Sequence, residues 1–173
     1  MNNIVSGTLL ALMAFTLVAH ASNGTGKSPV QVASSNNLAQ LGHQSQQERL
    51  PVLLVFSADH CPYCELLETE ILKPMLLSGQ YEQKVIIRKI DTDAASEVHD
   101  FDGQKISVQD LMSRYKVFVT PTMLFLGPDG KELSERLVGI NTVEMFGGLV
   151  DDAIEVSLHK LRGGNPGKLA SRQ

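Results

Sequence analysis

Apolar residues in this chain fall into short unbroken runs and into helical stripes, and the alternation of the two sets the expected elements. Val52-Leu53-Leu54-Val55-Phe56 is unbroken and bounded by Pro51 and by Ser57-Ala58-Asp59. Such a run predicts a strand covered on both faces. Cys64, Leu67, Ile71 and Met75 then recur at helical spacing, which predicts an amphipathic helix with that stripe inward. Cys61 sits where an N-cap or first-turn residue belongs. Pro62 comes next, at the first helical position, where its missing N–H costs nothing. Pro74 is expected to kink or end this helix. Upstream, Leu38 and Leu41 mark a weakly amphipathic helix running to Arg49.

Downstream, Lys84 to Ile90 reads as a strand ending at Asp91-Thr92-Asp93. Ala94 to Lys105 is polar and acidic, with a turn at Asp102-Gly103, and reads as a surface insertion. Ser107-x-x-Asp110 caps a short helix with Leu111, Met112 and Tyr115 on its apolar side. Thr122 to Leu126 is a strand, and Gly127-Pro128-Asp129-Gly130 turns it into a second one over Glu132 to Val138. Asn141-x-x-Glu144 is expected to cap a last helix. Its stripe is Val143, Phe146, Leu149, Val150, Ala153, Ile154, Leu158 and Leu161, and Gly147-Gly148 suggests close packing on the sheet. The order is strand, helix, strand, helix, strand, strand, helix. An early parallel unit and a late antiparallel hairpin predict an α/β domain with a central mixed β-sheet flanked by helices.

Length fits one domain with extensions: 173 residues, 43% hydrophobic. A net charge of −4 argues against nucleic acid as a partner. At the front, Ile4 to Ala19 is almost wholly apolar and Ala19-His20-Ala21 is a small-x-small cleavage signal, so residues 1–21 read as a signal peptide. Met1-Asn2-Asn3 lacks Lys and Arg, and an uncleaved anchor is the competing reading. Residues 22–33 read as a flexible linker, residues 34–161 as the domain and residues 162–173 as a disordered tail. Gly24-x-Gly26-Lys27-Ser28 lacks the spacing of a phosphate loop, and no strand precedes it.

The chemistry lies in Cys61-Pro62-Tyr63-Cys64, which holds both cysteines of the chain. At a helix start, unpaired N–H groups and the helix dipole favour an anion on Cys61, while Cys64 lies further in and stays protonated longer. A low-pKa outer thiol beside a buried resolving thiol is suited to exchange disulfides with another molecule. The bland alternative, a static disulfide, closes almost no loop and contributes little stability. A metal site is poorly supported: two cysteines do not fill a tetrahedral shell, and His43, His60, His99 and His159 lack ligand spacing. Neither a metal nor a cofactor is expected. Pro121, at the head of its strand, reads either as plain strand initiation or as a cis-proline presenting backbone near the cysteines.

Cys61-Pro62-Tyr63-Cys64 after a buried strand, with Thr120-Pro121-Thr122 leading a later hairpin, resembles the thioredoxin superfamily over about Leu50 to Leu161. The Pro62-Tyr63 pair is similar to that of glutaredoxins. The export signal, the Asp100-Phe101-Asp102-Gly103 insertion and the Thr-Pro-Thr run are more similar to periplasmic thioredoxin-like proteins of the SoxW kind. The resemblance implies a thioredoxin-like fold and a periplasmic protein-disulfide reductase recharged by a membrane thiol–disulfide carrier. Cys61 would be the nucleophile, Cys64 the resolving thiol and Pro121 a cis-proline facing them, with Thr120 lining the substrate groove. Two positions depart from the pattern. Val55 stands where thioredoxins carry a buried acid, leaving Asp59, Glu65 or water as proton acceptors for Cys64. His60 stands where a tryptophan is usual; if protonated, it would favour the Cys61 thiolate. Disulfide oxidation, glutathione-linked exchange and a non-catalytic thiol module for metal or haem assembly are the rival functions.

Overall fold

The structure, a computed structural model, describes residues 30–93 and 97–163. The expected signal peptide and most of the expected linker and tail lie outside the described residues. Six strands and five α-helices succeed one another along the described chain: α1 (Leu38–Glu48), β1 (Val52–Ser57), α2 (Pro62–Leu67), α3 (Lys73–Ser78), β2 (Ile86–Asp91), β3 (Glu97–His99), β4 (Lys105–Ser107), α4 (Val108–Tyr115), β5 (Thr122–Leu126), β6 (Leu137–Val138) and α5 (Val143–Leu161). The main sheet has the order β2-β1-β5-β6. β1 runs parallel to β2 and antiparallel to β5, and β5 is antiparallel to β6, so the sheet is mixed.

Strand periodicity divides the core in two. Leu53 and Val55 of β1, with Met123 and Phe125 of β5, face Leu67, Ile71 and Met75 from the helical run α2–α3 and Val150 and Ile154 from α5. Val52, Leu54 and Phe56, with Leu124 and Leu126, face Leu38 and Leu41 of α1 and Leu111 of α4. Each face of the sheet is therefore covered, which is why β1 and β5 are apolar without interruption.

Several boundaries differ from the sequence pattern, each for a local reason. Val32, two residues ahead of the expected domain start, is already packed: it is buried in the first cluster, the Lys89 N–H donates to the Ala33 carbonyl (3.0 Å), and the Ser35 N–H donates to the Lys89 carbonyl (2.9 Å). Pro74 does not end its helix. Residues Glu68–Leu72 widen into a π-helical turn, the Lys73 N–H bonds the Glu68 carbonyl, and α3 resumes with Pro74 in its first turn. A π turn leaves room for the ring and for the missing donor. The polar stretch before α4 is not merely surface. It folds as the β3–β4 hairpin, with Val98 in the core and Asp100, only 2% exposed, ion-paired to Arg114.

The second strand of the late hairpin is interrupted. Leu126 bridges Glu132 and Met123 pairs with Leu137, so three steps on β5 face five on its partner, and the two extra residues bulge. Asn141 does not cap α5; Thr142 occupies that place without a side-chain cap. Leu149 is exposed and Ser157 is buried in its stead, its hydroxyl donating to the Ala153 carbonyl (2.7 Å). Gly147–Gly148 is not forced by packing: a Cβ on Gly147 would meet only Ile71 Cδ1 at 3.8 Å, and one on Gly148 nothing within 4 Å.

Candidate active site

The sheet register brings the two sequence motifs together. Phe56, near the end of β1, pairs with Thr122, the first residue of β5. The loop after β1 and the loop before β5 must therefore meet, although some sixty residues separate them. Ser57 to His60 lead from β1 into the helix, with His60 exposed at φ 54°. This is the left-handed region, which turns the chain sharply before Cys61.

Cys61 is the N-cap of α2. Its carbonyl accepts from the Cys64 and Glu65 N–H groups (3.0 and 3.1 Å), and its Sγ accepts from the Cys64 N–H at 3.2 Å. The sulfur thus occupies the place where a capping oxygen would sit, in the field of the helix N-terminus, which favours the anion. Pro62 takes the first helical position as expected. Cys64, one turn on, is 6% exposed. The two sulfurs are joined as a disulfide, with the Cα atoms 5.2 Å apart.

Cys61 is half-buried rather than at a fully exposed tip. The reason is the neighbouring loop. The Thr120–Pro121 peptide is cis, the Thr120 carbonyl oxygen lies 3.7 Å from Cys61 Sγ, and the Thr120 hydroxyl donates toward the same sulfur at 3.6 Å. Tyr63 is 59% exposed beside the pair, and Phe118, 84% exposed, and Val119 stand on the approach to Thr120. All seven residues singled out from the sequence, His60 to Cys64 with Thr120 and Pro121, lie in or beside this one site.

A family model described as a thioredoxin-like domain matches residues 40–154. The chain belongs to the thioredoxin-like domain family. Within 129 residues, this thioredoxin-like domain is 31% identical to the thiol:disulfide interchange protein DsbD of Pseudomonas fluorescens, covering 73% of this chain and 19% of that protein. It is 26% identical over 99 residues to the disulfide bond reductase DsbH of Chlamydia pneumoniae, covering 56% and 57% of the two chains. The chain thus spans about a fifth of the first relative and little more than half of the second. Among solved structures, thioredoxin from Trypanosoma brucei brucei aligns with a TM-score of 0.48 at 19% identity, over 76% of this chain and 96% of that one.

On the far side of Cys64 the thioredoxin-like domain has features that sequence reasoning missed. Val55 is 2% exposed among apolar neighbours and offers no acid. A cavity of about 150 Å³ instead reaches Cys64 from the side, between the active-site helix and β2. Glu68 lines it, with one carboxylate oxygen 3.2 Å from Lys89 Nζ and the other 3.6 Å from Lys73 Nζ. Asp59 and Asp91 also line it; their carboxylates and that of Asp93 bring oxygens within 4.8 Å of one another, and the Asp59 N–H donates to Asp93 (2.7 Å). The available signal for Glu68 was its spacing: four residues after Cys64, it shares that helix face. The pairing with Lys89 is tertiary and has no local signature.

Proposed function

We infer that this chain is an exported thiol–disulfide oxidoreductase that reduces disulfides in periplasmic proteins. The observation that carries this reading is the asymmetry of the pair: Cys61 Sγ caps a helix beside the open Thr120 loop, while Cys64 is buried behind it. In the reduced state the Cys61 thiolate attacks a substrate disulfide, one substrate sulfur leaves as thiolate, and a mixed disulfide forms. Cys64, having lost its proton, then attacks Cys61 Sγ. The Cys61–Cys64 bond forms, the mixed disulfide breaks, and the second substrate sulfur leaves with the electron pair. Export is supported by the apolar stretch to Ala19-His20-Ala21. The finer likeness is to the SoxW kind, and a membrane thiol–disulfide carrier would restore the dithiol.

The test uses the chain as expressed after export. Cys61→Ala abolishes reduction of insulin by dithiothreitol-charged protein, whereas Cys64→Ala accumulates a mixed disulfide with the substrate, seen as a thiol-sensitive band on a non-reducing gel. Equal, mild losses in both variants would sink the assignment. Direction is decided by the reduction potential: a value near about −270 mV favours a reductase and one near about −120 mV an oxidant, by the scale of known couples.

A further inference from the structure

Resting on that reading, we propose that Glu68 is the proton acceptor for Cys64, with Lys89 as its positioning residue, in place of an acid on β1. Three observations converge. Cys64 is buried and must lose a proton before it can resolve the mixed disulfide, yet the β1 position beneath the pair is Val55. The cavity that reaches Cys64 is lined by Glu68 and Lys89 and is large enough for water. Glu68 lies one turn beyond Cys64, its N–H bonding the Cys64 carbonyl, and its side chain is 19% exposed and held by two lysines.

Lys89 is itself fixed. Its backbone is paired with Ala33 and Ser35 on one edge and lies in register with Val55 on the other. The titratable groups facing the cavity besides Glu68 are Asp59, His60 and Glu65 from the loop after β1 and α2, and Lys89 and Asp91 from β2, with Lys73 behind Glu68. Of the two helix carboxylates, Glu68 is the one salt-bridged to a β2 lysine; Glu65 is exposed. The Cys64 thiol gives its proton, through water, to the Glu68 carboxylate. The Cys64 thiolate forms the bond to Cys61 Sγ, the substrate thiolate departs with the electron pair, and the proton on Glu68 returns to solvent or to that thiolate.

The experiment compares insulin reduction from about pH 6 to about pH 9.5, a window that brackets the ordinary thiol pKa, by wild type, Glu68→Gln, Glu68→Asp and Lys89→Met. Trapping of the mixed disulfide is measured for each substitution in the Cys64→Ala background. An ordinary thiol is only a few per cent ionised at about pH 7, so Glu68→Gln is expected to slow turnover there at least about tenfold. The deficit should close toward the alkaline end, where solvent hydroxide deprotonates Cys64 unaided. Glu68→Asp recovers part of the neutral-pH rate, Lys89→Met loses part of it, and mixed-disulfide formation is unchanged throughout. A Glu68→Gln rate equal to wild type at neutral pH, or a loss of the same size at every pH, overturns the inference while leaving the oxidoreductase reading intact. An inactive wild type overturns both.

Discussion

Among individual residues, the most telling positions are those where a side chain cannot be added. Gly130 closes the turn after β5 at φ 75°, and a Cβ there would lie 2.7 Å from both Phe101 Cδ2 and the Tyr115 hydroxyl, which itself donates to the Gly130 carbonyl at 2.9 Å. Gly103 has a similar φ of 82°, but a methyl group there would meet nothing within 4 Å. Alanine at Gly103 therefore costs only the left-handed backbone, roughly 1–2 kcal/mol, while alanine at Gly130 adds a steric clash. Urea unfolding of Gly130→Ala and Gly103→Ala should show a clearly larger loss for the former; equal midpoints would mean that Phe101 and Tyr115 move aside freely. The Gly-Pro-Asp-Gly turn was legible in the sequence because its conformation is local. The contact with Phe101 was not, because that residue comes from a segment that reads as a surface insertion.

Among the strands and helices, those that carry the site were legible because their apolar periodicity is strong and their caps are local. β1, the N-cap at Cys61, and Ser107 capping α4 through the Asp110 N–H (3.0 Å) all arise from short-range patterns. The β3–β4 hairpin escaped because three-residue strands carry too little periodicity and because its anchor is a buried acid. Asp100 accepts from the Phe101 N–H (2.8 Å) and pairs with Arg114 across to α4. Asp100→Ala leaves that N–H and a half-exposed guanidinium without their acceptor, at a cost of about 1–3 kcal/mol. The loss should appear both in urea unfolding and as faster amide exchange in residues 97–107; slow exchange there would show that Val98 alone holds the hairpin down. Pro74 was legible as a disturbance but not as a π turn. Whether a helix stops at a proline or continues past it depends on the burial gained beyond, here that of Met75.

Across the chain as a whole, two tyrosines tie distant parts together and make stability sensitive to alkali. Tyr115 is pushed up to about 12 chiefly by burial, and Tyr81 to about 12 chiefly by its hydrogen bond to Asp151 of α5 (2.5 Å). Both pKa values are raised in the fold, so the unfolded chain releases these protons first, near about pH 10. The associated stability is complete below about pH 10 and is lost as pH rises toward about 12. Urea midpoints should fall across that window, and Tyr115→Phe should shallow the fall; an unchanged slope would mean that Tyr115 ionises freely in the fold. The mixed sheet and its two helix layers were legible from element order alone, and the meeting of Cys61 with the Thr120–Pro121 loop was legible from the thioredoxin resemblance. The cavity beside Cys64 was not, because it arises where β2 passes the helix, and no single stretch of sequence records that crossing.

The run from Ala33 to Ser35 that lies along β2 has a consequence for the company the domain keeps. One flank of the main sheet is already hydrogen-bonded by the chain's own leading strand-like segment, and the opposite flank, β6, is two residues long and succeeded by a glycine at φ 68°. Among the described residues, a neighbouring copy therefore finds no long open border of the main sheet on which to stack. On the proposed function, in which the domain holds other chains by a passing covalent bond, closed flanks of this kind would keep it from zipping onto them along the sheet.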